Sequence, residues 1–193
     1  MNYRRVYTDQ ESDSILQRLL AKTYEYHKPY QRFGKTVKVP RGQASFTLDK
    51  SIHYDYKVSG GSPPNEVMCP FLKEITGRVN TELGTGYNTI LMNVYKGGKD
   101  CIGQHKDRED GWADGTGFAT LSFGATRNFD LKEEDTGILT RVPHKSGYII
   151  DLPRSMNTTH THGVPPQPRV KQPRVSLTFR HIKAEFPIYS CSP

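Results

Sequence analysis

The sequence predicts a mostly β chain, an antiparallel sandwich or barrel with helices flanking it on the N-terminal side. Two observations carry that expectation. From Tyr87 onward the chain breaks into short apolar runs, at 89–95, 118–123, 148–152 and 175–179, separated by clusters of Gly, Pro and Asp. Many short strands with turn signals between them mark sandwiches and barrels. Before Tyr87, the two longest periodic segments have helical spacing instead.

In chain order, Thr8 and Glu11 can form a capping box that opens a helix over 8–24, with Ile15, Leu16, Leu19 and Leu20 as its apolar stripe. Short β-type runs at 35–39 and 45–48 flank Pro40-Arg41-Gly42, which predicts a hairpin-like excursion within 28–60. The break Gly60-Gly61-Ser62-Pro63-Pro64 closes it. A second helix begins near Pro70, tolerated in a first turn, buries Phe71, Leu72, Ile75 and Val79, and stops at Gly84 and Gly86. The strands follow, and Pro165-Pro166-Gln167-Pro168 is expected as a surface loop between two of them.

A length of 193 residues suits a single domain with a sizeable core. Three cysteines, Cys69, Cys101 and Cys191, lack zinc-type spacing, which argues for a reducing compartment and against a disulfide scaffold or zinc finger. Neither a secretory signal nor a run of roughly 20 apolar residues is visible. The expectation is a soluble intracellular monomer with no membrane partner, nucleus and cytoplasm both left open. The formal charge of +7 favours polyanionic partners. Arg4, Arg5, Lys22, Lys28, Arg32, Lys35 and Lys38 crowd the N-terminal fifth, where they could bind phosphates.

The chemistry concentrates downstream. His105 and Asp107 lie two apart, so on a strand they share a face. With a later histidine they complete the two-histidine, one-carboxylate set that holds non-haem Fe(II) and leaves positions open. Thr159-His160-Thr161-His162 offers two candidates for that histidine, one a ligand and the other a neighbouring donor. Arg174 and Arg180 are six apart and also share a face, so 174–180 alternates polar inward and apolar outward. Two guanidinium forks beside a metal suit a dicarboxylate. These residues point to an iron oxygenase using 2-oxoglutarate.

His105-Lys106-Asp107, His162-Gly163-Val164-Pro165, Asn93-Val94-Tyr95 and the Arg-x5-Arg of Arg174 and Arg180 together resemble the signature of the AlkB dioxygenases. The segments 121–127 and 173–180 are similar to that family's core strands, and the likeness runs from about Phe33 to Ile182. It implies a double-stranded β-helix (jelly roll) with a nucleotide-recognition hairpin, and it favours His162 over His160 as the ligand. By the same likeness 28–60 would be the nucleic-acid recognition segment and 87–182 the catalytic core of one domain spanning 1–193. Fe(II), 2-oxoglutarate and O2 are the implied cofactor and cosubstrates. Arg174 and Tyr95 would hold the far carboxylate, while Arg180 and Asn93 would serve the metal-side end.

Within the family, Phe33-Gly34-Lys35 followed by Val39-Pro40-Arg41-Gly42-Gln43-Ala44 resembles the strand-invading hairpin, and the loop after it, of the eukaryotic member that repairs duplex DNA. Phe33 would be a wedge filling the gap left by a flipped base, with Arg41 and Gln43 holding the opened duplex. Arg32 and Gly42 depart from the residues expected there. Tyr54 and Tyr56 resemble the base-pocket lid, or are ordinary strand tyrosines at a core edge. Glu109 could favour cationic 1-methyladenine and 3-methylcytosine over their neutral parents, or be a solvated loop acid. The expected activity is oxidative removal of N-methyl groups from DNA, with formaldehyde and succinate as products. Alternatives are a demethylase of RNA or single strands, an oxygenase acting on a protein or small molecule, and a lesion-binding protein without catalysis.

Overall fold

The computed structural model describes residues 1–22, 25–26, 29–32, 35–54 and 63–183. In chain order its elements are β1 (Asn2–Arg5), α1 (Asp9–Leu20), β2 (Glu25–Tyr26), β3 (Pro29–Arg32), β4 (Lys35–Lys38), β5 (Gly42–Thr47), β6 (Asn65–Val67), α2 (Pro70–Leu83), β7 (Thr89–Tyr95), β8 (Ile102–His105), β9 (Phe118–Gly124), β10 (Arg127–Glu133), β11 (Leu139–His144), β12 (Tyr148–Leu152), α3 (Arg154–Thr159), β13 (His160–Val164) and β14 (Arg174–Arg180). The larger sheet runs β1-β12-β9-β14-β7-β5-β2 with β6 beside β5, and the smaller runs β11-β10-β13-β8. Among the described residues all pairings are antiparallel except that of β5 with β6. These are the two sheets of the jelly roll. Among the described residues no helix is long and apolar enough to cross a membrane.

The two helices form where the residues direct. Thr8 and Glu11 make the full capping box of α1, which ends at Leu20, short of the expected 24. Pro70 occupies the first turn of α2, and Gly84 closes it at φ +65°, a conformation that glycine adopts without strain. Ile15, Leu19, Leu72, Ile75 and Val79 pack on the outer face of the larger sheet, against Met92, Leu121 and Leu177. The inner face meets the smaller sheet through Leu91, Phe118, Phe129, Leu131 and Val164. Strands β7 and β14 are therefore buried on both faces along their whole length.

Register then sets the site. Ser176 lies opposite Asn93 on one side and Ser122 on the other, while Arg174 lies opposite Tyr95. Polar side chains of three adjacent strands thus line one inward-facing row, and their apolar neighbours feed the outer core.

Two expectations need correcting. The runs 35–39 and 45–48 do not pair across 40–42: β3 pairs with β4, from Pro29 opposite Lys38 to Arg32 opposite Lys35, where the resemblance places the hairpin. β5 instead joins the larger sheet beside β7, because Ala44 and Phe46 complete the core under the helices. Secondly, β8 stops at His105, so Asp107 is not on the strand. The polar strands β10 and β11 and the short helix α3 had no predicted counterpart, since charged residues dilute their periodicity.

Candidate active site

His105 closes β8, and His162 stands opposite it on β13. Their ring centroids are 4.3 Å apart. Asp107 Oδ1 lies 3.6 Å from His105 Nε2 and 3.9 Å from His162 Nε2. The three ligand atoms fall within 4.8 Å of one another. His160 is not in the group; its Nδ1 lies 2.7 Å from Thr159 Oγ1. Close approach of the strands matters here: a Cβ on Gly163 would lie 2.9 Å from Ile102 O.

Each donor is prepared for a cation. His105 Nδ1 sits 2.9 Å from Gly103 O, which places its proton there and leaves the Nε2 lone pair toward the cluster. Burial alone would raise the Asp107 carboxyl, but the Arg180 guanidinium and the two histidines hold it well below the usual carboxylate range. Burial, then the neighbouring His105, push His162 down to about 3. An ionised carboxylate beside a neutral imidazole is the protonation state a metal needs. Arg180 Nη2 donates to Asp107 Oδ2 at 2.5 Å, so Oδ1 alone faces the imidazoles. Two imidazole nitrogens and one carboxylate oxygen on one side of an open cavity fit a mononuclear Fe(II).

The other end of the cavity is built for an anion. Arg174 is fully buried; its Nε donates to Ser122 Oγ at 2.8 Å and its Nη2 to His144 Nδ1 at 3.2 Å. His144 Nε2 in turn donates to Tyr148 O at 2.9 Å. Burial, then the Arg174 charge, push His144 well below its ordinary pKa, so it is a neutral acceptor. Among the described residues Arg174 forms no ion pair, and its buried Nη1 has no hydrogen-bond partner. The Tyr95 ring centroid lies 5.0 Å from the guanidinium carbon. Between Arg174 and the metal ligands the empty volume is about 430 Å³ including its mouth, walled by Asn93, Tyr95, Thr120 and Ser176.

Of the remaining predicted residues, Arg41, Gln43, Tyr54 and Glu109 are described. Phe33 and Tyr56 lie outside the described residues. Arg41, expected on the opened duplex, is buried, with Nε donating to Asn93 Oδ1 at 2.8 Å; Gln43 Nε2 donates to the same oxygen at 3.3 Å. Pairing of β5 with β7 turns both inward. Tyr54 is buried, its hydroxyl donating to Arg108 O at 2.6 Å and accepting from Trp112 Nε1 at 3.0 Å. That bond gives Trp112, which had no sequence-based role, a place supporting the metal loop. Glu109 is not a solvated acid: Arg154 Nε donates to it at 2.6 Å and Asn157 Nδ2 at 2.8 Å.

Sequence reading missed Ser122, His144 and Asn157. Ser122 stands in a strand whose inward set is even-numbered, a signal that was available. His144 and Asn157 gave none, since a lone histidine and a lone asparagine are too common to single out.

Fold and site together define a mononuclear non-haem iron dioxygenase with a dicarboxylate cosubstrate. Residues 1–180 match the model of the 2OG-Fe(II) oxygenase superfamily, and the chain belongs to that superfamily, in its AlkB branch. It is 34% identical over 193 residues to the DNA oxidative demethylase ALKBH2 of Homo sapiens, covering 94% of this chain and 72% of the relative. Over a shorter stretch it is 30% identical to the human alpha-ketoglutarate-dependent dioxygenase alkB homolog 3, covering 62% of this chain and 45% of the relative. In structure it superposes on OsALKBH1 with TM-score 0.63 at 15% identity, covering 93% of this chain and 97% of the other. A Trichoplax adhaerens prolyl hydroxylase in complex with a peptide gives TM-score 0.57 at 12% identity, over 94% and 82%. Both share the fold.

Proposed function

We propose that this dioxygenase is a DNA oxidative demethylase that removes N-methyl groups from 1-methyladenine and 3-methylcytosine, in duplex as well as single-stranded DNA. The observation that carries the reading is the unpaired, buried Arg174 across the cavity from His105, Asp107 and His162, in a chain similar to enzymes named for that activity. Bound Fe(II) supplies the oxidation: 2-oxoglutarate, O2 and the N-methyl group become succinate, CO2 and an N-hydroxymethyl group. The latter then breaks its N–C bond to release formaldehyde and the repaired base.

The residues divide the remaining work. His105, Asp107 and His162 hold the metal, with Arg180 fixing the carboxylate so that one oxygen ligates. Arg174 and Tyr95 receive the far carboxylate of 2-oxoglutarate, and Asn93, anchored by Arg41 and Gln43, walls its metal-side end. Glu109 offers its carboxylate to the cationic base, in exchange with the Arg154 guanidinium that pairs with it. Tyr54 and Tyr56 form the lid, and Phe33 is the wedge. Lys35 and Lys38, exposed on β4, meet phosphates, whereas Arg5 and Lys22 are paired with Asp9 and Glu66. The unit is one domain acting as a monomer, with 28–60 for recognition and 87–182 for catalysis, working inside the cell where DNA lies.

Formaldehyde release and base repair on matched single- and double-stranded DNA and RNA oligomers test this. Repair of duplex DNA is expected, and Phe33→Ala should lose more on duplex than on single strands. Equal losses would remove the wedge. Cosubstrate turnover without repair of any oligomer would remove the nucleobase substrate.

A further inference from the structure

Asp107 is the one metal ligand outside the sheet, so no ladder partner satisfies or orients its backbone. Its amide N–H and carbonyl are nevertheless both bonded, and by a single side chain. Asn157 Oδ1 accepts from Asp107 N at 2.9 Å, and Asn157 Nδ2 donates to Asp107 O at 2.9 Å. One amide thus does what an opposing strand residue would do. Its remaining donor goes to Glu109 Oε1 at 2.8 Å, and Asn157 itself is 4% exposed. Both amide hydrogens and the amide oxygen are therefore engaged on the segment 107–109.

The location of Asn157 gives those bonds their reach. It lies in α3, which runs directly into β13 and hence into His162. Arg180 grips the Asp107 carboxylate from β14, so the ligand is held at its backbone by α3 and at its side chain by the larger sheet. We propose that Asn157 is a positioning residue that sets Asp107 against His105 and His162, and so determines metal affinity without touching the metal. The proposal rests on reading those three residues as the ligand set.

The test uses the full-length metal-free chain and Mn(II) alone, with free Mn(II) counted by electron paramagnetic resonance and folding checked by circular dichroism at the titration temperature. Asp107→Ala checks the ligand reading and should abolish binding. Asn157→Ala should weaken Mn(II) binding about 10- to 100-fold, the usual effect of removing a group that orients a ligand. Arg154→Ala, which removes a contact to Glu109 but none to Asp107, should leave Mn(II) affinity unchanged. A merely structural asparagine would lower the unfolding temperature and leave the affinity of the folded protein intact; that outcome overturns the proposal. So does an Arg154→Ala loss equal to that of Asn157→Ala, which would assign the effect to Glu109. If Asn157→Ala does not fold, the isosteric Asn157→Asp replaces it, and native affinity there is equally fatal. Native affinity in Asp107→Ala would instead remove the metal reading itself.

Discussion

The two arginines of β14 lie on one face of one strand, yet they occupy opposite electrostatic situations. Arg180 is neutralised, its Nη2 on the Asp107 carboxylate at 2.5 Å. Among the described residues Arg174 has neutral partners, the Ser122 hydroxyl, the His144 imidazole and the Tyr95 side chain. A buried guanidinium without a counter-ion is expensive, because desolvation is not offset by attraction. Burial accordingly lowers the Arg174 pKa, with Arg127 adding to the effect and Tyr95 opposing it. The cavity therefore has a charge-balanced end and a cationic end. The balanced end can accept a divalent cation only through Asp107 Oδ1 and two imidazoles. The cationic end awaits an anion. Folding alone would favour apolar residues at both positions, so the contrast identifies the inner face as functional, whereas Val175, Leu177 and Phe179 behind it are purely core.

The largest test breaks the balanced end. Asp107→Ala removes both the ligand oxygen and the carboxylate that Arg180 holds, in a cavity that already carries the charge of Arg174. Iron-dependent turnover should fall to background, and the metal-free protein should lose about 3–5 kcal/mol of stability, the typical penalty for breaking a buried pair. Chemical denaturation reads the second effect. A stable, inactive variant would mean that Arg180 finds another acceptor, and the contrast between the ends would be smaller than drawn.

Protonation probes both ends more gently. The folded-state pKa of His162 is depressed to about 3 from an ordinary 6.5, and that of His144 is depressed as well. Below about pH 6.5 the unfolded chain takes up protons on these groups that the folded chain refuses. Stability is therefore fully present above that pH and falls as pH drops toward 3. The loss should be on the order of several kcal/mol at about 1.4 kcal/mol per unit of pKa difference. Melting of metal-free protein from pH 7 to 4 should show this fall, and Fe(II) or Mn(II) should steepen it, since the metal binds the deprotonated ligands. A melting temperature independent of pH over that range would mean the imidazoles charge freely in the fold.

Much of this chemistry is legible in the residues alone. The even spacing of Arg174 and Arg180 and the tripeptide His105-Lys106-Asp107 are sufficient to place it, because period-two alternation and ligand type are local properties. The capping box of α1 and the Pro70 start of α2 are likewise visible. What stays hidden depends on pairing between distant segments. Nothing local says that β5 joins the larger sheet and brings Arg41 and Gln43 to Asn93. The neutral cradle of Arg174 comes from β9 and β11, and the support of Asp107 comes from α3, about fifty residues later in sequence. Sequence alternation identifies a face; only register identifies its neighbours.

The cationic end offers a smaller effect than loss of a ligand. Arg174→Ala removes the charge-assisted bonds to the far carboxylate, each of which contributes about 1.5–3 kcal/mol. The affinity for 2-oxoglutarate, read by isothermal titration of the Mn(II)-loaded protein, should fall by roughly 10- to 100-fold for each bond lost at 1.4 kcal/mol per decade, while Mn(II) affinity holds. Arg174→Lys should recover part of the loss but not the fork geometry. Parallel loss of metal and dicarboxylate binding would mean the two ends are one unit, and the comparison would collapse.

The finest distinction is made by His144→Gln. This change leaves every charge in the cavity in place and replaces the acceptor that orients Arg174 Nη2, along with the donor to Tyr148 O. If the cationic end works as a preoriented fork rather than as a diffuse charge, losing one neutral hydrogen bond worth about 0.5–1.5 kcal/mol should weaken 2-oxoglutarate binding a few-fold. The same change should leave Mn(II) binding untouched, because His144 contacts Arg174 and not the three metal ligands. An unchanged cosubstrate affinity would show that charge alone suffices there. In that event Ser122, the other anchor of the guanidinium, would be enough to hold it.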